Sequence, residues 1–297
     1  AAVANVNDDP TGSVTITGTA SEGEVLTANT SALADADGLG TLIYQWKAGG
    51  TDITGATAST YTLTQDEVGK TITVAVSYTD GQGTPESVLS GATASVTNVN
   101  TSPTGNVAIT GTATQGATLT ADASALDDAD GLGTLSYQWK ADGSDISGAT
   151  SSTYTLTQAE VGKAITVAVS YTDGEGTSES VLSAASAAVT NTNDPVSGVV
   201  SITGTATQGQ VLTADASGLS DPDGVGAFSY VWKADGTTIS GATGSTYTLT
   251  QAEVGKTITV TASYTDGGGT VESVQSSATS AVANVNDDPT GTVTITG

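Results

Sequence analysis

The chain has 297 residues, and its 31 acidic against 6 basic side chains give a net charge of −25. It contains no Cys and no His, which excludes disulfides, thiol nucleophiles and His-dependent triads. So acidic a chain repels nucleic acid and anionic lipid, so no nucleic-acid partner and no direct membrane contact are expected.

In chain order, the first segment with strand character is 13–17, where Val14 and Ile16 alternate with polar neighbours. Period two with Val, Ile, Thr and Tyr enrichment marks half-buried antiparallel strands. The same pattern predicts strands over 25–28, 42–47 (Leu42, Tyr44, Trp46), 61–64, 71–79 (Ile72, Val74, Val76, Tyr78) and 87–97. Gly- and Asp-rich breaks at 34–40, 48–55 and 80–84 separate them, and 65–69 reads as a single turn. No window carries a helical period, and none is long and apolar enough to span a bilayer.

The pattern then starts again. Trp46, Trp139 and Trp232 are evenly spaced, 139 − 46 and 232 − 139 both giving 93. That period matches one small domain rather than a solenoid unit. The expected units are 1–7 (tail of a preceding repeat and linker), 8–100, 101–193, 194–286 and 287–297 (linker and first strand of a following repeat). Residues 2–18 return almost unchanged as 281–297, so the sequence reads as an excerpt from a longer array.

About seven short strands with a Trp on the third predict an all-β protein: three tandem immunoglobulin-like (cadherin-like) antiparallel β-sandwich domains in a linear array. Strand D and a strand C′ have no clear place in the pattern. A core this small, without Cys, needs another tie, such as a metal or a neighbouring repeat.

In such a sandwich the B–C loop, the F–G loop and the incoming linker share one end, and the recurring acids fall there. The B–C loop supplies Asp35 and Asp37, Asp128 and Asp130, Asp221 and Asp223. The F–G loop supplies Asp80, Asp173 and Asp266, with Glu86, Glu179 and Glu272 six residues on. The linkers supply Asn5, Asn7 and Asp8; Asn98 and Asn100; Asn191, Asn193 and Asp194; and Asn286 with Asp287. Glu67, Glu160 and Glu253, in the turn before the sixth strand, are expected at the opposite end, meeting the next linker. Carboxylates at this density repel one another, and a hard cation taking six to eight oxygens resolves the clustering. Ca2+ is the expected ion. Because the second linker reads Asn100-Thr101-Ser102-Pro103, with no acid, the junction between repeats one and two is expected to bind more weakly than the next, unless Asp127 compensates.

The runs Tyr-Thr-Leu-Thr-Gln-Ala-Glu-Val-Gly-Lys (154–163 and 247–256), Ser-Tyr-Thr-Asp-Gly (77–81) and Asn-Val-Asn-Asp-Asp-Pro (5–10) resemble tandem Ig-like extender repeats of giant, calcium-dependent, type I secreted bacterial surface adhesins of the RTX type. The linker phrase is also similar to the cadherin interdomain junction. The resemblance covers all three repeats. It implies a structural extender at the bacterial cell surface, outside the cell, holding a ligand-binding tip for adhesion or biofilm formation. The expected partners are the neighbouring repeats of the same chain, in a monomeric rod, and no enzymatic activity is expected. An alternative is a carbohydrate- or surface-binding module, which would need exposed aromatics, whereas Trp46, Tyr44, Tyr61 and Tyr78 fall on core-facing positions. A Lys isopeptide cross-link is disfavoured because Lys47 points away from the core and Lys70 lies in a turn.

Overall fold

The computed structural model describes residues 6–288 and 290–296. Repeat one consists of β1 (Thr15–Thr17), β2 (Val25–Asn29), β3 (Ile43–Ala48), β4 (Thr51–Asp52), β5 (Thr60–Thr62), β6 (Ile72–Thr79) and β7 (Pro85–Leu89), with a 3-10 turn at Gln65–Glu67. Two antiparallel sheets form, ordered β1-β2-β5 and β4-β3-β6-β7. Repeats two and three have the same two sheets, so the chain is three tandem immunoglobulin-like sandwiches.

The alternation in the sequence becomes the alternation of burial. Along β6, Ile72, Val74, Val76 and Tyr78 are buried while the intervening residues are partly open. Each repeat has its own core cluster centred on its Trp. Trp46, Trp139 and Trp232 are 0% exposed. The Trp46 indole N–H donates to the Ala58 carbonyl at 2.9 Å and the ring lies 6.1 Å from that of Tyr61. A buried Trp of this kind is core, with no face left for a sugar.

Strand C′ is β4, paired to β3 through Lys47↔Asp52. Its turn, Gly49-Gly50, has φ of +55° and +85°; Asp142-Gly143 and Asp235-Gly236 repeat the left-handed pair. Two successive positive φ values make the tight hairpin turn that matches strand twist. Part-buried Lys47 and Lys140 form ion pairs with the exposed Asp52 and Asp145. No strand D lies between β4 and β5.

The expected last strand, 87–97, is broken. Pro85–Leu89 pairs with β6, after which the chain peels away. At the break, side chains replace backbone acceptors: Val74 N–H donates to Ser90 Oγ at 2.9 Å and Ile72 N–H to Thr93 Oγ1 at 3.0 Å. Buried N–H groups must find acceptors, and local hydroxyls supply them where the ladder cannot. The chain then regains contact through Val68↔Val96 and Ser21↔Thr97 bridges. This return fixes where it leaves the repeat. Residues 290–296 form no strand. In repeat one β1 is held by β2, and the same pairing recurs in repeats two and three.

Candidate metal centre

The B–C and F–G loops are locked together at one end of each sandwich. The N–H of Gly81 donates to the Asp37 carbonyl at 3.1 Å, with equivalents at Gly174–Asp130 and Gly267–Asp223, both 2.9 Å. A Cβ on Gly81 would lie 2.5 Å from the Asp37 carbonyl oxygen, so only glycine permits this approach.

The incoming linker joins them. In repeat three, Asp194 N–H donates to Asp223 Oδ2 at 2.7 Å and Asn193 Nδ2 to Glu272 Oε1 at 3.0 Å. In repeat two, Thr101 N–H donates to Asp130 Oδ2 at 2.6 Å and Asn100 Nδ2 to Glu179 Oε1 at 2.8 Å. Asp8 N–H and Asn7 Nδ2 do the same to Asp37 and Glu86. Asn5 lies outside the described residues. Asn286 is exposed.

Tyrosines and loop amides hold the carboxylates in place. Tyr264 OH donates to Asp221 Oδ2 at 2.5 Å, while Asp223 N–H donates to Asp221 Oδ1 at 2.9 Å. Tyr171 with Asp128 and Tyr78 with Asp35 repeat the contact at 2.6 and 2.7 Å. Burial, then the hydrogen bond to the carboxylate, pushes these three phenols well above their usual range, so they stay protonated donors. Asp80 Oδ1 accepts from Gln82 N–H and Thr84 N–H. Burial pushes its carboxyl upward, but the amides of Thr84, Gln82 and Gly83 outweigh that and hold it below the usual range.

Asp221 is thereby bonded through both oxygens, as are Asp35 and Asp128, whereas other carboxylates and amides of the two loops and the linker keep one oxygen without a donor. Asp80, Asp173 and Asp266 Oδ2, Asp130 and Asp223 Oδ1, and the amide oxygens of Asn98 and Asn191 are buried without a hydrogen-bond donor. The five Asp residues are each at most 6% exposed. In repeat three, carboxylate oxygens of Asp221, Asp266 and Glu272 come within 4.8 Å of one another. Asn191 packs against the same loop, its Nδ2 lying 2.3 Å from where a Gly268 Cβ would be. Buried polar oxygens without donors are rare, and each calls for a partner. The donor set is carboxylate and amide oxygen only, which suits a hard cation and not a thiophilic or imidazole-seeking one.

One expectation needs correction. Glu67, Glu160 and Glu253 do not turn towards the next linker. Each is buried and closes a capping box on its own 3-10 turn, as Glu67 Oε2 does by accepting from Thr64 N–H and Oγ1 at 3.0 and 2.8 Å. The residue that meets the linker lies instead in the β1–β2 loop: Glu22, Gln115 and Gln208, none of which the acidic pattern singles out. Asp127, in turn, accepts from the adjacent Asp128 N–H. In the 93-residue register position 22 reads Glu, Gln, Gln, and nothing distinguishes it from positions 21, 24 and 25, which vary as well.

The Glu253 cap gives a pH test. Burial raises its pKa, yet donation from Thr250, Tyr247 and the nearby Lys256 charge together hold it below the ordinary value. A folded-state pKa below the unfolded one adds stability that is present above the unfolded pKa and lost as pH falls through the folded value. E253Q should cost repeat three about 1 kcal/mol at pH 7, in line with a lost cap. The gap to wild type should close below about pH 4, near the unfolded Glu value. Calorimetric melts of both proteins in chelator at the two pH values measure it; a gap independent of pH refutes a charged cap.

No protein-family model matches the chain. No curated protein matches it either. Among solved structures it is similar to the calcium-stabilised adhesin that helps an Antarctic bacterium reach out and bind ice, with 13% identity over 97% of this chain and 77% of that one and a TM-score of 0.31. A 1.5-MDa bacterial ice-binding adhesin overlays with 12% identity over 94% and 100% of the two chains and a TM-score of 0.30. The ICAM-5 D1–D4 ectodomain gives 12%, 87%, 71% and 0.35 in the same terms. At these identities and TM-scores the likeness assigns no function.

Proposed function

We propose that this chain is an extender region of a bacterial cell-surface adhesin, a stalk of sandwich beads stiffened by calcium where each linker enters a repeat. It projects a ligand-binding tip for adhesion or biofilm formation, outside the cell and as a monomeric rod. The observation that carries the reading is the set of buried, donorless carboxylate and amide oxygens at the linker end of repeats two and three, with Asp80 Oδ2 at the same place in repeat one. In repeat three, Asp221, Asp223, Asp266, Glu272 and Asn191 would hold the ion; their counterparts serve the other repeats. The linker is bonded to the same carboxylates, so an ion that fixes them also fixes the linker.

Calcium sites in extracellular modules bind at about 10⁻⁴–10⁻³ M. Such sites stay empty in a cytosol and fill outside, so stiffening follows export. Each bead spans roughly 4 nm, from strands of this size plus loops. Solution scattering in calcium should therefore give a rod, three beads long. Adding chelator should increase flexibility and spread the maximum dimension. Profiles that superimpose with and without calcium would refute the stiffened stalk.

A further inference from the structure

The linker is held at its other face by the preceding repeat, and the side chains that hold it change in a matched way. Gln115 Oε1 accepts from Thr192 N–H at 3.1 Å, and its Nε2 donates to Asp194 Oδ2 at 2.6 Å. At the third junction Gln208 Oε1 accepts from Val285 N–H at 3.2 Å, and its Nε2 donates to Asp287 Oδ2 at 3.2 Å. At the first junction Glu22 Oε2 accepts from Val99 N–H at 3.3 Å, the same backbone bond. There the linker residue in register with Asp194 is Thr101.

So the two members change together. Where the loop carries an amide, which can donate, the linker carries a carboxylate. Where the loop carries a carboxylate, which can only accept, the linker carries a hydroxyl, which can donate. Each junction thus has one negative charge at this pair, and the unfavourable Glu–Asp combination never occurs. Asp194 also ties its own N–H to Asp223 of the next repeat. A continuous path, Gln115–Asp194–Asp223, therefore runs from one bead into the next.

We propose that the pairs 22/101, 115/194 and 208/287 form a polarity-matched clasp that orients neighbouring repeats independently of any ion. The first junction is then not deficient in acid: Glu22 puts its carboxylate on the other side of the joint. The clasp goes beyond the calcium reading, which concerns the far face of the same linker.

The chain has no Cys, so spin labels can be placed at will on the exposed Thr51, Ser144 and Thr237. Electron-spin distance measurements on the full chain, in chelator, then read the first junction (T51C/S144C) and the second (S144C/T237C). Wild type should retain a defined distance at each. Q115E sets Glu against Asp194 and should broaden only the second junction; adding D194T restores the first junction's chemistry and should narrow it again. T101D should broaden only the first junction, and E22Q/T101D should recover it. A wild-type distance already lost in chelator overturns the clasp. So do single variants that match wild type, or double variants as broad as the singles. Trp-fluorescence melts confirm that the variants remain folded. The calcium reading stands or falls separately, on whether calcium narrows the wild-type distances.

Discussion

Substituting alanine for Trp139 unfolds the middle repeat and leaves the outer two folded. The indole is fully buried, donates to the Ser151 carbonyl at 2.9 Å and sits 6.1 Å from the Tyr154 ring. Removing a buried Trp costs about 3–5 kcal/mol through lost transfer energy and the cavity left behind. The freed Ser151 carbonyl adds about 1–3 kcal/mol if it stays buried. A domain holds only about 5–15 kcal/mol in total, and one this small lies at the low end. The neighbours should survive because each core cluster is drawn from a single repeat. The variant also reports on itself: with Trp139 gone, Trp46 and Trp232 fluorescence reads only the outer repeats, while hydrogen exchange reads the middle one. The outer midpoints should stay near their wild-type values, with loss of protection confined to the middle repeat. Collapse of all three together would show that the repeats are one cooperative unit.

The cores were readable because their information is local. Period-two alternation names the buried face of β6 residue by residue, and the 93-residue echo confirms it three times. The hairpin to β4 was also written in the chain, but in its second and third copies: Asp142-Gly143 and Asp235-Gly236 are strong turn signals, while Gly49-Gly50 is a weaker one. The break after β7 was hidden because Ser90 and Thr93 look like ordinary outward strand residues until their hydroxyls meet the N–H groups of Val74 and Ile72. At the candidate ion site, the sequence could group the acids by loop. It could not say which oxygens were already occupied by Tyr264, by loop amides or by the linker. Glu67 illustrates the limit: a capping box and a metal ligand both call for a Glu after a turn, and only burial against Thr64 separates them. Gln115 illustrates the converse, a polar loop residue whose meaning lies in Asp194, 79 residues away.

Asp266 offers the sharpest test of the ion, because its two oxygens have different roles. Oδ1 accepts from Thr270 N–H at 2.7 Å and shapes the loop; Oδ2 is the buried oxygen without a donor. D266N keeps an oxygen for Thr270 and presents an NH2 group where the cation would bind. Calcium affinity of that site should fall at least as far as when a metal site loses one supporting contact, roughly 10–100-fold. In chelator the sign reverses: the variant removes one charge from carboxylates gathered within 4.8 Å, so like-charge repulsion falls and repeat three should melt several degrees higher than wild type. In excess calcium it should melt lower, because ligand binding to the folded state stabilises wild type more. Calorimetric titration gives the affinity, and melts with and without calcium give the crossing. A site that serves only as a hydrogen-bonded loop predicts no crossing: D266N would then shift the melt in the same direction in both solutions and leave calcium binding unchanged. The same substitution at Asp173 should act on repeat two alone, since its unpartnered Oδ2 lies in that repeat's own loop.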